Sequence, residues 1–186
     1  YDHKYGKQRQ EHDWVKVHIM FGVKTNVVTA VEIKEKLAQD SPLLPDLLNT
    51  TAKTFKIAEV SADKGYGSIN NTNVIVEAGA TPFIAFKSIH TGTGVGLWAK
   101  MFHLFKFQRD EFLAHYHKRS NVGSTFSMIK RKFGDFLRSK TDTAMINEAL
   151  CKILAHNIVV LIHEIHELGI ETNFWAETKP AQQLPA

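Results

Sequence analysis

With one cysteine in 186 residues, no disulfide can form within the chain. Cys151 lies in an apolar, helix-periodic stretch, where a small core residue is expected rather than a nucleophile, and a reducing cytoplasm suits it. Long apolar runs are also scarce. The longest window, Ile158 to Ile162, is broken by His163 and Glu164, well short of the roughly 18 residues a span needs, so no membrane partner is expected. The opening YDHKYGKQRQEHDW has no apolar run of the kind a signal peptide carries. A phosphate loop is missing too, because no Gly-Lys-Ser/Thr closes the glycine-rich link HTGTGVG at 90–96. His163, Glu164, His166 and Glu167 fall short of a zinc site, since the histidines are three apart rather than four and no third ligand follows.

The most telling shortage is of acid in one stretch. Between His115 and Lys140, Lys118, Arg119, Lys130, Arg131, Lys132, Arg138 and Lys140 are opposed only by Asp135. An ordinary solvated helix face alternates its charges. This one points to a polyanion, with a merely solubilising basic helix as the plainer alternative. The net charge of +4 and pI near 9.1 permit nucleic acid without requiring it. At about 100° per residue, Val122, Phe126, Ile129, Phe133, Phe136 and Leu137 form an apolar stripe of ordinary width. On the same wheel Tyr116, Arg119, Gly123 and Lys130 fall within roughly 60° of one another on its flank, where a helix borders a cleft.

The rest reads as α/β. Trp14 to Val23 and Asn26 to Ile33 alternate as an antiparallel strand pair. The segment before them, 2–13, is either a mobile loop on the nucleic-acid side or a frayed terminus. Ser41 and Pro42 suit a helix start, with the helix running to about Lys53. A strand over Lys56 to Ala62, a helix over Ser68 to Ala78 closed by Gly79, and a strand over Thr81 to Phe86 follow. Aromatics from Trp98 to Tyr116 recur at helical spacing, as two short helices or one bent one. A last helix over Asn147 to Leu168 has Leu150, Ile153, Leu154, Ile158, Leu161, Ile162 and Ile165 inward. Strand-helix alternation after an antiparallel pair predicts a mixed sheet flanked by helices, in one domain over 1–178 with a flexible tail at 179–186. Asp63 ends a strand, where α/β ligands collect, although taken alone the commoner explanation is that it caps the next helix.

Tyr116, two residues, Arg119, three residues, Gly123, six residues, Lys130 has the spacing of the Tyr-Arg-Glu-Lys signature of insertion-sequence DDE transposases. RSNVGSTFSMIKRKFG resembles that family's Arg-Ser-x-x-Glu-Ser-x-Phe-Ser-x-x-Lys-x-x-Phe-Gly, with Gly123 where the family has its catalytic glutamate. SADKGYGS resembles the second catalytic aspartate motif, sixty positions earlier, and Asn147-Glu148 and His156-Asn157 resemble the C-terminal helix.

The resemblance implies a ribonuclease H-like fold, here without its first strand, and DNA strand transfer by carboxylates that hold two Mg²⁺ or Mn²⁺ ions. It assigns Asp63 as metal ligand and catalytic residue, with position 123 the place of the lost carboxylate. Tyr116, Arg119, Lys130, Arg131, Lys132 and Arg138 become the DNA-binding set. The first aspartate would lie upstream of Tyr1, and Asp13 and Glu111 stand nearby without the family's context. One carboxylate leaves most ligand positions to water, so metal binding is expected to be weak or absent and the chain catalytically defective. The implied partners are the element's DNA ends and target, at the nucleoid of a prokaryotic cytoplasm. A homodimer in the DNA complex is allowed.

Overall fold

The structure, a computed structural model, describes residues 15–169 apart from 36, 94 and 95. Asp13, the 2–13 segment and the 179–186 tail lie outside the described residues.

β1, Val15–Phe21, and β2, Val28–Glu35, pair antiparallel as the alternation predicts. The strand period of two sends Val17, Ile19 and Phe21 to one face with Val31, and Lys16, His18 and Met20 to the other. A single 3₁₀ turn, Ser41–Leu43, then leads into α1, Leu44–Ala52. The predicted start at Ser41 is therefore displaced. Pro45 has no N–H to give the Ser41 carbonyl, and that carbonyl instead accepts from Asn71 Nδ2 at 2.9 Å.

β3, Glu59–Ala62, and β4, Thr81–Ile84, pair in parallel around α2, Ile69–Glu77. A parallel pair needs such a crossover. α2 begins and ends where expected: Ser68 Oγ accepts from the Asn71 amide at 3.1 Å, and Gly79 takes φ 76 just past its end. The aromatic stretch divides into α3, Leu97–Phe107, and α4, Arg109–Tyr116. α5, Asn121–Phe133, and α6, Asp142–Glu167, complete the order.

The four strands do not form one sheet. Among the described residues β1 bonds only to β2 and β3 only to β4, so a single mixed sheet is replaced by two small ones. Side chains join them. Leu44 and Leu48 of α1 pack in one cluster with Val60, Ile75, Ala80 and Ile84, and Met20 of β1 packs against it. His18 Nδ1 and the Tyr66 hydroxyl share a 2.6 Å hydrogen bond between the two sheets. Burial, then Asp40 and Asp63, push the Tyr66 phenol up to about 12, so it stays protonated. A second cluster packs α3 and α4 on β4 through Phe83, Met101, Phe112 and Tyr116. A third seats Val28 against Ile129 of α5 and Ile153 of α6.

Three predictions about apolar positions fail for identifiable reasons. Gly134 takes φ 85 and ends α5, so Phe136 and Leu137 leave the predicted stripe, and Phe136 is 61% exposed. α6 is apolar on two faces, and periodicity cannot choose between them. The face that packs holds Met145, Ala149, Ile153 and His156, leaving Leu150, Leu154, Ile158, Leu161 and Ile162 exposed. Cys151, expected in the core, is also exposed.

α6 serves as a clamp. Its Asn157 accepts from the Val28 amide at 2.8 Å and donates to the Val28 carbonyl at 2.7 Å, as a neighbouring strand would. His156, buried, meets the carbonyl of Asn26 at 3.0 Å in the hairpin turn. Closer to its start, Glu148 accepts the backbone amides of Arg138 and Ser139, while Lys152 donates to the Phe136 carbonyl at 2.7 Å.

Those amides, with help from Lys152, hold the Glu148 carboxyl down at about 2 against an ordinary 4.5. A depressed carboxyl stabilises the fold fully above its unfolded value and ceases to do so as pH falls through its folded value. The 134–140 connection should therefore stay fixed through the usual carboxylate range and loosen only near pH 2. Amide proton shifts of Arg138 and Ser139 should titrate there, and Glu148→Gln should abolish the titration. A midpoint in the ordinary carboxylate range would contradict the anchoring.

Candidate functional site

The signature positions lie on three elements rather than one helix. Tyr116 ends α4, Arg119 sits in a 3₁₀ segment, His117–Ser120, and Gly123 and Lys130 belong to α5. A 3₁₀ turn takes 3.0 residues against 3.6, so four such residues add roughly 80° to the expected rotation. The roughly 60° arc drawn for a continuous helix therefore does not apply.

β3 pins this turn. Glu59 forms a hydrogen bond with His115 Nδ1 at 2.7 Å and accepts from Lys118, and Ser61 Oγ donates to the His115 carbonyl at 2.9 Å. Burial pushes the Glu59 carboxyl up, but the bonds from Lys118 and His115 outweigh it and leave it below its ordinary value. The His115 ring stacks on Phe83, centroids 4.3 Å apart. Sequence reasoning counted Lys118 only as part of the basic stretch and missed Glu59, Ser61, Phe83 and His115. Their only signal was a carboxylate on a strand and a lysine and a histidine far along the chain.

With the turn fixed, the end of β3 meets the end of α4. Arg119 Nη1 lies 3.9 Å from Asp63 Oδ2 and the guanidinium sits over the Tyr116 ring, 4.7 Å from its centroid. Burial pushes the Tyr116 phenol up, Arg119 pulls it down, and Asp63 pushes it up again. Arg119 Nε is buried with no hydrogen-bond partner among the described residues. Three of the residues singled out from sequence thus come together. Asp63 also caps the following 3₁₀ turn, accepting from the Lys64 amide at 2.8 Å, so the plainer role is realised as well.

Among the described residues the remaining positions form no ion pair with this cluster. Gly123 is exposed, and a Cβ built on it would meet nothing within 4 Å. Lys130, Arg131 and Lys132 are exposed in the last turn of α5, and Arg138 is exposed in the connection beyond it. Cations there complement the helix dipole. Among the described residues none of these four forms an ion pair.

Comparison with protein families matches residues 1–158 to the family described as the transposase DDE domain. The chain belongs to that family. No curated protein and no solved structure matches it. DDE transposases use divalent metal ions, yet among the described residues no three His, Cys, Asp or Glu side chains gather as a metal site requires. Asp63 is paired with a cation instead. The donors among the described residues of this transposase-family chain do not fit a two-ion centre.

Proposed function

We propose that this DDE chain is a transposase-type DNA-binding and strand-transfer domain that is catalytically defective as it stands. The observation carrying the proposal is the meeting of Asp63, Tyr116 and Arg119 at one point of the fold. Family membership supports DNA as the partner. The exposed cations at the end of α5 support a phosphate-contacting surface, because among the described residues none of them forms an ion pair. Arg119 would reach a phosphate only by leaving a 3.9 Å pair that is exposed on the Asp63 side, a modest cost in water.

The ribonuclease H-like fold belongs to the same proposal. β1 and β3 each have an unpaired edge among the described residues, α1 packs beside both sheets, and a strand between those edges would join them into one. On this reading that strand would carry the family's first aspartate. Without a glutamate at 123, the chain binds DNA but does not cut. The DNA would be the element's ends and its target at the nucleoid, with a homodimer in the complex allowed.

Phosphate contacts release counterions, so log K should fall with log salt by about 0.9 per contact. Replacing Arg131, Lys132 and Arg138 together with Gln should reduce that slope by about 2 to 3 and weaken binding similarly on unrelated sequences. Fluorescence anisotropy across a salt series measures both. An unchanged slope would remove the DNA from α5.

A further inference from the structure

α6 carries two apolar faces, and among the described residues only one is packed. Opposite the buried Met145, Ala149, Ile153 and His156 run Cys151, Leu154, Ile158, Leu161, Ile165 and Leu168. Their spacing alternates strictly, three then four, over two and a half heptads, which is the seam of a helix that packs against another helix. Cys151, Leu154, Ile158, Leu161 and Leu168 are exposed, Leu154 at 61% and Leu168 at 67%. A helix apolar all round is normally covered all round.

We propose that this seam is the interface through which two copies of the chain pair, α6 against α6. Size is one argument. The exposed leucines and isoleucines between Leu150 and Leu168 present on the order of 600 Å² of apolar surface, above most monomer patches and most of the ~800 Å² a partner contributes to a standard interface. The groove of about 340 Å³ between β2 and α6, lined by Val28, Val31, Leu150 and Leu154, extends it. Self-complementarity is the other argument. A two-fold axis sets the same patch against itself, and a seam of heptad spacing is filled by another of the same spacing.

A lipid surface suits this helix less well. α6 has the length and mean hydropathy of a membrane span, 1.6 over its best 18 residues. However, Glu148, Lys152, His156 and Asn157 bond its other face to the protein. A helix lying flat on a membrane is flanked by Lys and Arg, whereas from Leu150 to Leu168 the only such residue is Lys152. The pairing needs no nucleic acid, so it stands or falls separately from the DNA reading.

Sedimentation of the full chain without DNA tests it. The expected result is a dimer at low micromolar concentration. Leu154→Glu with Ile158→Glu should weaken it about 100-fold or more while leaving the circular dichroism unchanged, and the melting midpoint unchanged at concentrations low enough that parent and variant are both monomeric. If that variant does not fold, Leu161→Lys on the same seam decides. A monomer at high micromolar concentration overturns the proposal, including one that floats with neutral or anionic vesicles or melts lower in the variants. So does a dimer whose dissociation constant the seam variants leave alone.

Discussion

Phe112→Ala is expected to destabilise the chain by about 3–5 kcal/mol, measured as a shift of the urea midpoint at constant slope. Phe112 is 0% exposed and packs against Phe83, Phe105 and Tyr116, with centroids 5.7, 5.1 and 6.1 Å away. Removing the ring deletes a large transfer term and leaves a cavity walled by groups from β4, α3 and α4, which cannot all collapse into it. Destabilisation is half of the expectation. Phe112 also seats the helix that ends in Tyr116, and Tyr116 supports Arg119. DNA affinity should therefore fall even at temperatures where the variant remains folded. A loss below about 1 kcal/mol would mean that α4 does not pack on β4 as described.

The largest gain is expected from restoring the site. Gly123→Glu alone should be stable, since Glu is favoured over Gly in a helix by about 0.5–1 kcal/mol. The position also lies in the first turn of α5, which holds no acid and where a negative charge meets the positive end of the helix. Open space around position 123 removes any steric objection. This single variant should bind Mn²⁺ more tightly than the parent and cut no DNA, because two carboxylates are still one short of the family's set. The same substitution in a chain extended upstream through the first-strand aspartate is expected to gain metal-dependent nicking of supercoiled plasmid where the parent has none. The extended chain retaining Gly123 is the control. If the extended chain carrying Gly123→Glu binds DNA and metal yet leaves the plasmid intact, then Asp63 and position 123 do not share a site.

Much of this was legible in sequence because it is local. Ser68 as a cap, Gly79 as a stop and the alternation of β1 and β2 each involve residues a few positions apart, whose preference survives in any fold that keeps the element. The signature spacing led to Tyr116 and Arg119 in the same way, and the structure places both beside Asp63. What could not be read depends on distant partners. Glu59 pins His115 and Lys118 from another element, and the resulting turn rotates position 123 away from the simple helical wheel. α6 was misjudged because its two apolar faces give equal signals, and the choice fell to β2, through Asn157 and His156. Pro45 shifted the start of α1 by a rule visible in the sequence but applied to the wrong proline.

The hold of Asn157 on Val28 also bears on the order in which the molecule assembles. The two residues are 129 positions apart, so the first hairpin completes its outer edge by closing a loop that contains most of the chain. Such distant contacts are made late and slow the search for the native state. At about 5–20 residues per second, the ribosome exposes the hairpin on the order of ten seconds before it releases the helix that caps it. Through that interval the outer edge of β2 lacks its final cover, and an unpaired strand edge invites another chain. During synthesis, then, this protein is most open to aggregation at this hairpin, and the arrival of α6 ends that exposure.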